Sequence, residues 1–90
     1  MKIIWKKHKP IKRRDGSTEE SWTYDDFQVE IDGRKGLGYD VDFTVFPSGR
    51  KSFSRSVHFD TKSEELRFAR RLMKNPTGNS NMILSTGRFL

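Results

Sequence analysis

The sequence predicts an α+β domain, in which a small antiparallel sheet of three to four strands packs against one helix at about residues 61–74. Two observations carry this prediction. Apolar and polar residues alternate over residues 39–59 around a Pro-Ser-Gly turn, as in a half-buried β-hairpin. A helix-start pattern then leads directly into apolar residues at helical spacing.

The size and composition predict one small domain over residues 1–90. Its core should be thin, because 32% of the residues are hydrophobic and 33% are charged, although the aromatic side chains supply large buried areas. The sequence has no cysteine, which suits a reducing compartment, and no apolar run as long as a membrane span or a secretory signal. We therefore expect a cytoplasmic protein with no membrane partner and no cofactor. The sequence indicates no oligomeric state.

The net charge of +6 predicts an anionic partner, but the charges are segregated along the chain. Residues 1–14 hold seven Lys and Arg and no acid. Residues 15–45 hold nine acids against two basic residues, and residues 46–90 hold nine basic residues against three acids. Because these blocks can neutralise one another in the folded chain, the net charge overstates the positive surface that a partner would meet.

Residues 1–14 are predicted to form a basic arm or an edge strand. Pro10 removes a backbone donor, so a strand here must lie at a sheet edge, where lysines block association with other sheets. The functional interpretation is an arm that contacts phosphates, with Trp5 stacking on nucleic acid. The sequence favours neither interpretation.

The next strand is predicted at residues 20–32. Its apolar residues change parity between Tyr24 and Phe27. A bulge at residues 25–26 would return them to one face, since one inserted residue swaps the sides of a strand. Alternatively, Trp22 and Tyr24 are exposed.

Two registers then follow from keeping the apolar residues on one face. A flexible glycine-rich loop at residues 32–38 is expected to pair Ile31 with Tyr39, Val29 with Val41 and Phe27 with Phe43. A three-residue loop of Pro47, Ser48 and Gly49 is expected to pair Val45 with Lys51, Phe43 with Phe53, Val41 with Arg55 and Tyr39 with Val57. The opposite face of this hairpin then carries Asp40, Asp42 and a row of serines.

The helix is predicted to start at Thr61, which forms a capping box with Glu64. Its buried stripe should contain Leu66, Ala69, Leu72 and Met73, and Asn75-Pro76 should end it. Residues 77–90 are predicted to be a linker followed by a short apolar tail. The tail forms a last strand or covers a sheet edge in one interpretation, and docks on a partner in the other.

The run YDVDFTVFPSGRKSFSRSVHFDTKSEELRFARRL resembles the hairpin and helix of the N-terminal arm-type DNA-binding domains of phage and transposon integrases. The shared features are a Gly-containing turn followed by Arg50 and Lys51, a strand that ends at Phe59, and an amphipathic helix capped by Thr61. The resemblance covers about a third of the chain. It implies a three-stranded sheet backed by one helix, with the sheet face laid into a DNA groove. This chain departs from that pattern because acids replace basic residues on that face.

The leading functional hypothesis is a non-enzymatic nucleic-acid-binding protein of the kind that phages and mobile elements encode, with duplex DNA favoured as the partner. The expected contacts are Trp5, Lys6, Lys7, Lys9, Lys12, Arg13, Arg14, Arg34, Lys35, Arg50 and Lys51. One alternative is an accessory or inhibitor protein that binds a host protein through its acidic sheet face or its aromatic edge. A second alternative is a nuclease that holds Mg²⁺ or Mn²⁺ on Glu30, Asp40 and Asp42. We expect no metal site and no catalytic residue, because acids on the solvent face of a strand need no special reason.

Overall fold

A computed structural model describes residues 3–90 and confirms the α+β class. Met1 and Lys2, the first residues of the predicted basic arm, lie outside the described residues. The sheet is six-stranded and antiparallel. The elements are β1 (Lys6–Lys7), β2 (Ile11–Lys12), β3 (Thr18–Tyr24), β4 (Phe27–Arg34), β5 (Gly38–Val45), β6 (Phe53–Phe59), α1 (Lys62–Lys74) and α2 (Pro76–Thr86).

The strands follow the order β1-β3-β4-β5-β6, and β2 also pairs with β3. β1 and β2 therefore form one interrupted edge of the sheet. Pro10 lies in the interruption, and the His8 N–H donates to the Ser21 carbonyl at 2.9 Å just before it. Of the two interpretations of the N-terminal segment, the edge strand describes residues 6–7 and 11–12.

The prediction of one strand over residues 20–32 is wrong. β3 and β4 are separate strands joined by a two-residue turn at Asp25 and Asp26, and Tyr24 pairs with Phe27 across it. Asp25 adopts the left-handed conformation with φ of 50°. A two-residue turn pairs even-numbered residues with odd-numbered ones, so Trp22 lies beside Val29 on one face. The change of parity thus marks a chain reversal, and neither a bulge nor an exposed Trp22 is needed to explain it.

Both predicted registers are two residues out, although each assigns the side chains to the correct faces. Ile31 pairs with Val41 instead of Tyr39, and Val41 pairs with Val57 instead of Arg55. The β4–β5 turn closes where the Leu37 N–H donates to the Arg34 carbonyl at 3.0 Å, and the β5–β6 loop spans residues 46–52. Alternating apolar residues specify only the parity of a register, so a shift of two residues satisfies the pattern equally well.

The core lies between one sheet face and α1. Val29, Val41 and Phe43 are 0% exposed, and Ala69 and Leu72 of α1 are 1% exposed. Thr61 caps α1 as predicted, since its hydroxyl oxygen accepts a hydrogen bond from the Glu64 N–H at 3.2 Å. Leu66 and Met73, predicted for the same stripe, are half-buried. Glu65 is also buried, which its charge did not suggest.

Residues 77–90 differ from the predicted linker and apolar tail, because α2 covers most of them. Asn75, which ends α1, also caps α2: its side-chain oxygen accepts a hydrogen bond from the Gly78 N–H at 3.0 Å, and Pro76 occupies the first turn. Asn79 and Ser80 are buried despite their polarity. Within residues 3–90, neither helix is long and apolar enough to cross a bilayer.

The β5–β6 loop generates a stability prediction. The Arg50 N–H donates to the Pro47 carbonyl at 3.2 Å, and Gly49 inside this turn has φ of 70°. We expect Gly49→Val to lower the free energy of unfolding by more than about 1 kcal/mol, because β-branched residues fit positive φ poorly. Gly49→Asn should cost less, since Asn tolerates this conformation. Urea denaturation measures both variants, and equal costs for Val and Asn would contradict the turn geometry.

Candidate functional site

A groove lined with cations runs between the β1–β2 edge of the sheet and α1, and we call it the basic groove. Its edge-strand wall carries Lys7 and Lys12, and its helical wall carries Lys62 and Arg70. Two adjoining cavities of about 310 Å³ and 270 Å³ form the groove and share Glu20 and Lys62. Lys62 and Arg70 are about 12 Å apart along the helix axis, at 1.5 Å per residue. The groove therefore presents a row of positive charge on each side.

Glu20 and Trp22 lie on the same face of β3 and form part of the floor of the basic groove. The Lys7 Nζ lies 3.2 Å from Glu20 Oε1 and 5.5 Å from the centroid of the Trp22 ring. Among residues 3–90, Lys7 is the only groove cation that forms an ion pair. The pairing with Glu20 offsets one charge, so the groove keeps an excess of cations.

Trp5 attaches the edge strand to α1 at one end of the groove. Its indole N–H donates to the Met73 carbonyl at 2.8 Å, and its ring packs against Tyr24 with centroids 5.5 Å apart. The predicted stacking of Trp5 on a base would have to displace these contacts. The geometry thus favours a structural role, in which Trp5 fixes the distance between the two walls of the groove.

The other predicted contact residues are spread over the molecule. Arg13 pairs with Glu19 at the sheet edge, Arg34 is the last residue of β4, and Lys35 follows it in the β4–β5 loop. The β5–β6 loop, which carries the remaining predicted cations Arg50 and Lys51, lies at the opposite end of the sheet. Because β5 has 8 residues, the two loops are separated by about 25 Å. Lys6, Lys9 and Arg14 are exposed. Of the predicted cations, the fold brings Lys7 and Lys12 together in one cavity system.

Lys62 and Arg70 are not among the contact residues that the sequence predicts. Both are exposed on α1, outside the buried positions Glu65, Ala69 and Leu72. Their relation to Lys7 and Lys12 depends on how α1 crosses the sheet, which is a tertiary feature. Helical spacing places Arg70 beside the core stripe, but it aligns Lys62 with Glu65, Leu66 and Ala69 at i+3, i+4 and i+7, so periodicity does not indicate that Lys62 is exposed.

The sheet face turned away from the helices is acidic, and we call it the open face. Glu30 of β4 lies opposite Asp42 of β5, and Asp32 lies opposite Asp40. Glu19 of β3 lies opposite Asp32 from the other side. Like charges directly opposite one another destabilise a sheet. Three hydrogen bonds relieve this strain: Arg13 donates to Glu19, the Ser56 hydroxyl donates to Asp42, and His58 Nδ1 lies 2.7 Å from Asp40.

Two carboxyl groups of the open face share a proton. The hydrogen bond to Glu19 raises the pKa of Glu30 to about 8, and burial and the neighbouring carboxylates add to the shift. The same hydrogen bond, together with the one from Arg13, lowers the pKa of Glu19. Burial and the charges of Glu19 and Asp42 raise the pKa of Asp32. Glu30 is therefore protonated near neutral pH, and the open face carries less negative charge than its composition suggests.

The three acids of the alternative nuclease hypothesis, Glu30, Asp40 and Asp42, are not all directly opposite one another, because the register places Glu30 opposite Asp42 and Asp40 opposite Asp32. Carboxylate oxygens of Glu19, Glu30 and Asp32 instead lie within 4.8 Å of one another. Hard divalent cations prefer oxygen ligands, but a cation here would first have to displace the shared proton. These contacts account for the cluster as a hydrogen-bonded acid pair.

Comparisons with protein-family models, with curated proteins and with solved structures return no match to the chain. The resemblance to integrase arm-type domains therefore stays a prediction.

A buried carboxyl group lies on α1 one residue from the groove-lining Leu66. Glu65 is 2% exposed, and its Oε2 has no hydrogen-bond partner among the described residues. Burial raises the pKa of Glu65 to about 7. The positive charge of Lys62 opposes this shift, and the acids Asp32, Asp40 and Glu20 add to it. Near neutral pH, a small change in pH alters the charge beneath the helical wall of the groove.

This arrangement predicts that Glu65 makes stability depend on pH. A carboxyl pKa that folding raises contributes stability below the unfolded value of 4.5, and that contribution is lost as the pH rises through about 7. Relative to the natural protein, Glu65→Gln should gain about 2–3 kcal/mol between pH 4.5 and pH 8.5. Urea denaturation at several pH values measures the difference. Glu64→Gln serves as a control for the loss of a carboxylate from the first turn, and a pH-independent effect of Glu65→Gln would contradict the assignment.

Proposed function

We propose that the protein binds nucleic acid, with duplex DNA favoured, and that the phosphate backbone lies along the basic groove without any enzymatic step. One observation supports this proposal above the others. Cations from two separate parts of the chain, Lys7 and Lys12 on the edge strands and Lys62 and Arg70 on α1, line one continuous groove. Neutralising phosphates with Lys and Arg releases counterions and supplies most of the affinity of sequence-independent binding.

The acidic open face also favours an orientation in which the basic groove faces the phosphates. It lies on the side of the sheet opposite α1, so phosphates that approach it meet the carboxylates of Asp32, Asp40 and Asp42. Phosphates that approach the groove meet an excess of positive charge. The two faces together orient the molecule in the field of an anionic partner. This orientation differs from the binding mode implied by the resemblance to integrase domains, in which the sheet face enters the DNA.

The proposal predicts both a salt dependence and a location for binding. With about four phosphate contacts, the logarithm of the association constant for a duplex of about 20 base pairs should fall with the logarithm of salt concentration with a slope of about −3 to −4. The variant Lys12→Ala with Arg70→Ala removes one cation from each wall. It should weaken binding at least about tenfold at about 50 mM salt and reduce the slope by about two. Fluorescence anisotropy measures both quantities.

The matched control is Arg50→Ala with Lys51→Ala. It removes the same charge from the loop at the far end of the sheet, and it should change the slope by less than one. Equal effects of the two double variants would contradict the groove as the site. Undetectable duplex binding at about 50 mM salt would contradict the function itself. A single strand of the same sequence, measured in parallel, tests the preference for duplex DNA.

The open face favours a second candidate function, which is binding to a cationic surface of a host protein. The observation in its favour is that Asp32 lies between Glu19 and Asp40 across the strands, although like charges at these positions cost stability. A cationic partner would relieve the repulsion between these carboxylates, and this relief would add to the affinity. The cysteine-free composition fits a cytoplasmic partner for either function.

An arginine-rich synthetic peptide tests this second candidate. NMR titration should shift the amide resonances of β4 and β5, and the triple variant Glu19→Gln, Asp32→Asn and Asp42→Asn should weaken binding at least about tenfold. The control Asp25→Asn, Asp26→Asn and Asp60→Asn removes the same number of exposed acids outside the open face. Equal losses in both triple variants would indicate attraction without a defined surface, and this outcome would rule the candidate out.

A further inference from the structure

β6 forms the second edge of the sheet, and this edge is unpaired. β6 pairs with β5 on one side, and no strand among residues 3–90 pairs with its other side. Its sequence, FSRSVHF, contains no proline, lysine or glycine and one charged residue, Arg55. Phe53, Val57 and Phe59 are half-buried on the helix side of the strand. β6 is thus a regular, seven-residue edge strand with a partly apolar face.

The opposite edge of the same sheet has the features that prevent strand pairing. Its strands β1 and β2 are 2 residues each, and Pro10 interrupts them. Lysines occupy the edge at Lys6, Lys7, Lys9 and Lys12. Short edge strands, lysine and proline are the common means by which proteins keep sheet edges from pairing with other chains. β6 lacks a proline, a lysine and an interruption, and its one charged side chain is Arg55, so it is the less protected of the two edges.

Two contacts show which backbone groups of β6 point outward. The Ser54 carbonyl accepts a hydrogen bond from the Arg55 guanidinium at 3.1 Å. The Phe59 carbonyl oxygen lies 3.3 Å from the position that a Cβ on Gly38 would occupy, so it faces β5. Backbone groups of successive strand residues point to alternate sides. The Phe59 contact therefore assigns Ser54, Ser56 and His58 to the outer side of β6, and the bond from Arg55 to the Ser54 carbonyl is compatible with this assignment.

We propose that β6 pairs antiparallel with β6 of a second copy of this chain, around a two-fold axis at Ser56. In this register Ser54 lies opposite His58, Arg55 opposite Val57, and Phe53 opposite Phe59. All the outward backbone groups of one strand meet those of the other, and every residue of β6 has a partner. The register with its axis at Arg55 would place two guanidinium groups opposite each other and is disfavoured for that reason. The pairing joins the two sheets into one.

This proposal does not rest on nucleic-acid binding, and sedimentation velocity of the full chain tests it. The natural protein should change from monomer to dimer over about a hundredfold range of concentration. Ser56→Pro removes the central outward N–H without touching the bonds to β5, and it should raise the dimer dissociation constant at least about tenfold. Ser56→Ala also loses the hydroxyl bond to Asp42 but keeps the N–H, so it should dimerise like the natural protein. A natural protein that stays monomeric, or a Ser56→Pro dimer of unchanged strength, would overturn the proposal.

Hydrogen exchange of the unmodified chain tests the same interface without a substitution. The amides of Ser54, Ser56 and His58 point outward, so they should exchange more slowly as the protein concentration rises. The amides of Arg55 and Val57, which bond to β5, should show much less concentration dependence. Exchange at the three outward amides that is independent of concentration would overturn the proposal, even if a dimer forms.

Discussion

The structure depends on the burial of a single face of the sheet. Val29, Val41 and Phe43 have no exposed area and pack beneath Ala69 and Leu72 of α1. A chain that is only 32% hydrophobic has enough apolar area for one such layer, and the other face of each strand must then be polar. A slip of one residue would move this entire apolar set into water. The requirement to bury it therefore fixes which face each residue of β3, β4 and β5 occupies.

The charge distribution of the molecule follows from this constraint. Glu19, Glu30, Asp32, Asp40 and Asp42 alternate with the residues of β3 to β5 that face α1, so the fold has to collect these five acids on the open face, whereas Glu20 lies on the groove side. There Glu30 meets Asp42 across the strands, and the resulting repulsion is reduced when Glu30 keeps its proton through the hydrogen bond to Glu19. Several cations, among them Lys7, Lys12, Lys62 and Arg70, lie on elements that cover or border the other face, namely the edge strands and α1. The net charge of +6 thus conceals two surfaces of opposite sign, and this separation makes an oriented encounter with an anion possible.

The sequence was sufficient to predict those features that depend on nearest neighbours along the chain. The faces of β4 and β5, the cap at Thr61 and the end of α1 at Asn75 all rest on local periodicity or on local hydrogen bonds. The registers also depend on the loop lengths, because the alternation of apolar and polar residues does not distinguish two registers that differ by two residues. The turn at Asp25 lacks the glycine that usually marks a two-residue hairpin. Without that signal, the change of parity between Tyr24 and Phe27 is equally compatible with a bulge inside one long strand. α2 was missed because Thr77, Gly78 and Asn79 have low helix propensity, which the cap at Asn75 and the burial of Ser80 overcome.

The basic groove was only half predictable for a similar reason. Lys7 and Lys12 belong to a basic run that composition identifies, whereas Lys62 and Arg70 join them through the packing of α1 across the sheet. Trp5 illustrates the same limit. An aromatic residue among lysines is compatible with stacking on a base, and only the bond from its indole N–H to the Met73 carbonyl indicates that it connects the edge strand to α1.

The two edges of the sheet allow nucleic-acid binding and self-association to occur together. The basic groove lies at the β1–β2 edge, and β6 lies at the other. A two-fold axis between antiparallel edge strands runs perpendicular to the sheet, so α1 of both copies would lie on the same side of the joined sheet. The two β1–β2 edges would be separated by about nine strand spacings, or about 43 Å. Adjacent strands are rotated by about 20°, so the twist accumulated over this distance would turn the two outer edges by about 180°. The two grooves would therefore face away from each other and bind separate anionic partners. Because neither groove lies at the paired edge, self-association at β6 would leave both of them open.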